Sequence, residues 1–224
     1  MVSDERSLWW RLGAPLAWFI ERALFRVVVD GADRVPRTGP AILAFNHVSV
    51  LDGPCLAIET SLRCRRQIRF LVAAEVFGKP FFGWVLRRFD QIPIRRGQSD
   101  RGALDIAIAT VRAGAVAAMA PEGVVNADPV LGLHRIRSGV ARVSLPTGAP
   151  VVPVGIWGTQ DRWPKSGPVL ARIWRRSQLA LVFGDPLMPT GDPESAEDID
   201  AFRERVGSAI ERQSRTARAA SGGR

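Results

Sequence analysis

The stretch Ala41-Ile42-Leu43-Ala44-Phe45-Asn46-His47-Val48-Ser49-Val50-Leu51-Asp52 carries the decisive reading of this chain. Its first five residues are an unbroken apolar run, the pattern of a strand buried on both faces. Such a strand releases His47 at its carboxyl end, where α/β sheets place their chemistry. Asp52 follows after four intervening residues, and a histidine held by a carboxylate is a general base for an acidic proton, most simply that of a substrate hydroxyl.

The rest of the chain repeats this strand-then-helix rhythm. Apolar runs at 25–29, 67–73, 91–94, 115–120, 150–157 and 179–183 read as strands. Between them, 75–88 reads as a helix broken near Gly78-Lys79-Pro80, 99–112 as a helix capped by Ser99, and 138–147 and 197–213 as further helices. Residues 159–176, with Pro164, Gly167 and Pro168, read as an excursion from the rhythm. The expected fold is α/β: one domain with a central mixed, mostly parallel sheet flanked by helices. Its expected limits are 25–213, preceded by an amphipathic helix over 1–24 and followed by a polar, basic, disordered tail over 214–224.

Composition narrows the class. A chain of 224 residues buries a sizeable core without disulfides or metal staples. The net charge of +9 calls for an anionic partner: nucleic acid, a membrane surface, or a phosphorylated or CoA-linked substrate. No helix-turn-helix, RNP-type or zinc-finger pattern is present, which argues against nucleic acid. Cys55 and Cys64 form neither a disulfide framework nor a metal-ligand pattern; Cys55 reads as a core residue, and no metal or bound cofactor is expected. At the start, Trp9, Leu12, Leu16, Phe19, Ile20, Ala23 and Leu24 recur at helical spacing among Arg6, Arg11, Glu21, Arg22 and Arg26. The pattern suits a helix lying in an anionic membrane interface, or one packed against the domain's own core. Its uncharged stretch is too short to span a bilayer and no small-residue cleavage site follows, so a peripheral or monotopic position on the cytoplasmic face of the cell membrane is expected.

Three later segments also emerge where strands end: Gln91-Ile92-Pro93-Ile94-Arg95-Arg96-Gly97, Ala120-Pro121-Glu122-Gly123 and Val151-Val152-Pro153-Val154. With Asn46-His47 and Asp52, these four ordered blocks resemble the glycerolipid acyltransferase superfamily, the lysophosphatidic acid acyltransferases and their relatives. The resemblance covers about residues 25 to 190, and Phe183-Gly184-Asp185-Pro186 is similar to a turn that often follows in that family. It implies transfer of a fatty acyl group from acyl-CoA or acyl carrier protein to a hydroxyl of a lysophospholipid, foremost lysophosphatidic acid. By the same resemblance His47 is the base, Asp52 orients it, and Asn46, Arg96, Gly97, Pro121, Glu122, Gly123 and Pro153 belong to the substrate site. Glu122 is expected to orient the acceptor or its own loop, and His134, outside every block, to be a solvated loop residue.

Two departures bear on the acceptor. Val124-Val125-Asn126 stands where the family has Thr-Arg, and Asp90 stands where the second block has glycine. The family's arginine is a phosphate ligand, and valine lacks its fork of donors. The acceptor is then either a different lipid or glycolipid, or a phosphate held by Arg135 or Arg137 just downstream. A competing class is a basic membrane-binding module without catalysis. A hydrolase is disfavoured because no Gly-x-Ser-x-Gly elbow is present.

Overall fold

A computed structural model of the chain describes residues 6–95, 101–169 and 176–223. Helix α1 (Leu8–Leu24) leads into strand β1 (Phe25–Asp30), and β2 (Ala41–Phe45) is followed by α2 (Asp52–Cys64). Then come β3 (Ile68–Ala73), the short α3 (Ala74–Phe77), α4 (Pro80–Arg88), β4 (Ile92–Ile94), α5 (Arg101–Arg112) and β5 (Val116–Met119). The chain closes with α6 (Gly139–Thr147), β6 (Val151–Trp157), β7 (Ser177–Phe183) and α7 (Ala196–Ala220). The strands form one seven-stranded sheet in the order β1-β7-β6-β2-β5-β3-β4. Every neighbouring pair is parallel except β6 with β7, so the sheet is mixed and mostly parallel, as expected.

The apolar run that predicts β2 explains its place at the centre. All five residues are buried, Leu43 and Phe45 facing one core and Ile42 and Ala44 the other. The first core packs α1 and α2 onto the sheet through Trp10, Cys55, Leu56 and Cys64. The second packs α5, α6 and α7 through Ala107, Val111, Val140, Val143, Phe202, Val206 and Ile210. Parallel strands need such crossover helices on both faces, and the same geometry sends the ends of β2, β5 and β6 to one edge.

Gly158 closes that edge. Its φ is 107°, and a Cβ there would lie 1.8 Å from the Gln178 carbonyl oxygen, so only glycine lets the chain leave β6 against β7.

The structure corrects two expectations. Helix α2 has no counterpart in the sequence reading, because Glu59, Thr60 and Ser61 are buried on it and blur the apolar period. Helix α7 runs to Ala220, past the expected end at 213, so residues 214–220 are helical rather than a disordered tail. Ala217 there is buried with Trp157, and the Arg218 guanidinium lies 5.1 Å over the Trp157 ring, so tertiary packing orders a polar segment. The Ser99 cap falls outside the described residues, and the described helix begins at Arg101.

Helix α1 is joined to α2 by a buried charge cluster. Arg22 reaches Glu21 at 3.2 Å and Glu59 at 2.8 Å, and Arg63 adds a second contact to Glu59 at 2.6 Å. Burial, with Glu59 beside it, pushes the Glu21 carboxyl up to about 8 from 4.5. The folded chain therefore holds a proton that the unfolded chain releases, and stability falls as pH rises from about 4.5 to about 8. Glu21→Gln keeps the shape without the charge. It is expected to flatten the fall in melting temperature between pH 5 and pH 8, with a gain at pH 8 on the order of 5 °C by thermal denaturation. An unaltered pH dependence would contradict the proton assignment.

Candidate functional site

The site is built at the edge where β2, β5 and β6 end. His47 sits two residues past Phe45, the last residue of β2, and Asp52 is the first residue of α2. The intervening turn folds back so that Asp52 Oδ2 accepts from the Val48 and Ser49 backbone N–H groups at 2.7 and 2.8 Å. The same oxygen lies 2.9 Å from His47 Nδ1, and Asp52 Oδ1 accepts from the Thr159 hydroxyl. Asp52 is fully buried, whereas 18% of the His47 side chain remains accessible.

Chemistry follows from that asymmetry. A carboxylate surrounded by donors fixes the imidazole with its proton on Nδ1, which leaves Nε2 as the basic nitrogen. An imidazole held in this way can accept a proton at Nε2, and a buried carboxylate beside it can stabilise the resulting imidazolium.

Glu122 emerges from the turn after β5. Its Oε1 accepts the His47 backbone N–H at 2.7 Å, and its Oε2 accepts the His134 N–H at 3.0 Å. Burial pushes this carboxyl above its ordinary range, and the two amides pull it back. The His47 carbonyl in turn accepts the Asn126 N–H at 2.7 Å, so the loop after β5 grips the backbone of His47 from both sides. Glu122 therefore orients its loop and His47.

The other expected site residues divide by position. The Asn46 amide is buried and bonded to the Ile156 backbone, donating to the carbonyl at 2.9 Å and accepting from the N–H at 2.7 Å, which staples the end of β2 to β6. Pro153 lies within β6, beside Ala44 of β2, and is buried. Pro121 is buried with its carbonyl accepting the Arg137 N–H at 2.8 Å, and Gly123 turns the chain with φ 73°. Asn46, Pro121 and Pro153 thus support the edge from below, while Arg96 and Gly97 lie outside the described residues. His134, half of a pair of loop contacts through its N–H, is exposed as expected. Cys55 is buried and its thiol pushed well up, chiefly by desolvation, which makes it inert core.

Two residues escaped the sequence reading. Thr159 ties Asp52 to the segment after β6, and Ser49 Oγ donates to the Trp163 carbonyl at 2.7 Å. The available signal was position: Thr159 follows Gly158 at the end of the strand beside β2. Among the described residues no group of acidic, histidine and cysteine side chains is arranged to hold a metal ion.

Comparison with known proteins bears on the family and the fold. The acyltransferase family matches residues 26–157. An uncharacterized protein of Mycobacterium tuberculosis is 31% identical over 184 residues, covering 78% of this chain and 47% of its own length. A chloroplastic 1-acyl-sn-glycerol-3-phosphate acyltransferase of Brassica napus is 28% identical over 143 residues, 62% of this chain and 40% of its own. The chain thus spans about half the length of such curated relatives. The crystal structure of the 1-acyl-sn-glycerophosphate acyltransferase PlsC from Thermotoga maritima superposes with a TM-score of 0.74 at 23% identity, over 94% of this chain and 80% of that one. The fold is shared.

The hydrogen bonds to Asp52 carry a stability prediction. Asp52→Ala leaves the buried Val48 and Ser49 N–H groups and the Thr159 hydroxyl without their acceptor and is expected to cost about 3–5 kcal/mol in urea unfolding. An unchanged midpoint would contradict the buried network.

Proposed function

The chain belongs to the acyltransferase family, and from that premise we propose that it transfers a fatty acyl group from a thioester donor to a hydroxyl of a lysophospholipid, foremost lysophosphatidic acid. One observation carries the reading: an accessible imidazole whose Nδ1 is fixed by a buried carboxylate at a sheet edge. His47 Nε2 takes the acceptor's hydroxyl proton as that oxygen attacks the thioester carbonyl of acyl-CoA or acyl carrier protein. The tetrahedral intermediate collapses with cleavage of the carbon–sulfur bond, and the imidazolium returns the proton to the leaving thiolate. Ester and free thiol result, without an acyl-enzyme. The proton transfer supplies about 10²–10⁴ in rate, and alignment of the two substrates supplies much of the rest.

The outer faces of two helices support a place on a membrane. On α1, Leu12, Leu16, Phe19 and Ile20 are exposed, while Trp10, Ala14 and Glu21 are the residues turned inward. On α4, Phe81, Phe82 and Trp84 are exposed as well, and Trp84 meets Trp9 edge-on at 5.4 Å, so the two helices form one apolar surface. Arg88 lies over both tryptophan rings, at 5.2 and 5.9 Å. Aromatic rings rimmed by guanidinium suit a headgroup boundary with anionic lipid. No helix among the described residues is long and apolar enough to cross a membrane. Peripheral attachment to a membrane is the reading this surface supports best, and the cytoplasmic face is part of the proposal.

Catalysis is tested by acceptor-dependent release of free CoA thiol from acyl-CoA with lysophosphatidic acid. Wild type is expected to release thiol and form phosphatidic acid, and His47→Ala to lose at least about a hundredfold in rate. Equal rates for the two proteins would remove His47 from the mechanism. No thiol release by wild type with any lysophospholipid or glycolipid acceptor would favour a membrane-binding module. Attachment is tested by sedimentation with anionic phospholipid vesicles, where the double variant Leu16→Asp, Phe81→Asp is expected to partition about tenfold less or worse. Undiminished binding would leave α1 a core helix only.

A further inference from the structure

The loop after β5 doubles back on itself and brings a second group to the site. Arg137 N–H donates to the Pro121 carbonyl at 2.8 Å, and Asn126 Nδ2 donates to the Gly132 carbonyl at 2.8 Å. With Glu122 holding the amides of both His47 and His134, Arg137 is fixed beside the Pro121-Glu122-Gly123 turn. Its side chain lies against Gly123: a Cβ on that glycine would stand 3.2 Å from Arg137 Nε and 3.3 Å from its Cζ. The missing side chain at Gly123 makes room for a guanidinium.

That guanidinium lines a cleft of about 660 Å³ with Glu122, Val124, His134, Arg135 and Arg203. The charges in it are unequally engaged. Arg203 pairs with Asp200 at 3.0 Å and with Glu204 at 3.4 Å, and Glu122 accepts two backbone amides. No carboxylate among the described residues pairs with Arg137 or Arg135, and both are exposed. Val124 and Val125, where the family's phosphate-holding arginine is missing, belong to the same loop. Glu122 lines this cleft and also accepts the His47 backbone N–H, which ties the cleft to the loop that carries the histidine.

We infer that Arg137, assisted by Arg135, holds the phosphate monoester of the acceptor in place of the arginine absent at Val125. This rests on the proposed acyl transfer for its role but not for its measurement. A bidentate guanidinium–phosphate contact is charge-assisted and accounts for about tenfold or more in affinity. The shared chemistry is a phosphate group, and its other source is CoA.

Isothermal titration of sn-glycerol 3-phosphate, and separately of CoA, into wild type, Arg137→Gln and Arg65→Gln separates these. Arg65 lies at the opposite edge of the sheet, after α2, and its loss changes the net charge equally. The expected result is glycerol 3-phosphate binding about tenfold or more weaker in Arg137→Gln, with CoA affinity retained and Arg65→Gln unchanged. Undetectable binding to wild type, an equal loss in both variants, or a loss that falls on CoA would overturn the inference. If this binding pattern holds while wild type transfers no acyl group, the proposed function fails and the anion site stands. If wild type transfers acyl groups but Arg137→Gln binds glycerol 3-phosphate normally, only the anion site fails.

Discussion

Asp52 is a carboxylate with no exposure to solvent, and the donors gathered around it hold the functional edge of the protein together. Two of those donors are backbone amides of the turn that carries His47, one is the imidazole itself, and one is a hydroxyl from the segment after β6. A buried charge is tolerated only when its lone pairs are met, so the turn, the ring and the β6 exit are energetically tied. The imidazole orientation is thus a consequence of folding, present before any substrate arrives.

The sheet supplies that arrangement. β2 lies between β5 and β6, both parallel to it, so three carboxyl ends converge on one edge. Asn46 staples β2 to β6 below the site, and Glu122 staples the β5 loop to His47 above it. Most of the polar residues near the histidine are engaged in holding backbone. The arginines downstream of Gly123 remain directed into an open cleft.

Much of this was legible in the sequence because it rests on local signals. Five buried residues in a row mark a central strand, and the strand predicts where its histidine emerges. Pro80 and the preceding Gly78-Lys79 mark the break between α3 and α4. Helix α2 was illegible because its polar Glu59, Thr60 and Ser61 are buried, Glu59 within a charge cluster whose other acid comes from α1. The helical residues after 213 were illegible because Trp157, far away in sequence, orders them. For Thr159 only its position after Gly158 was legible, because a hydroxyl becomes a carboxylate partner only when two distant segments meet.

In the proposed mechanism Asp52 sets the His47 tautomer and leaves Nε2 free to accept a proton. The chain has two histidines, so ¹⁵N NMR of histidine-labelled protein, assigned with His47→Ala, reads it directly. Neutral His47 is expected to carry its proton on Nδ1, with an unprotonated Nε2, and Asp52→Asn is expected to disturb this preference. A His47 protonated on Nε2 in the wild type, or a signal indifferent to Asp52→Asn, would contradict it.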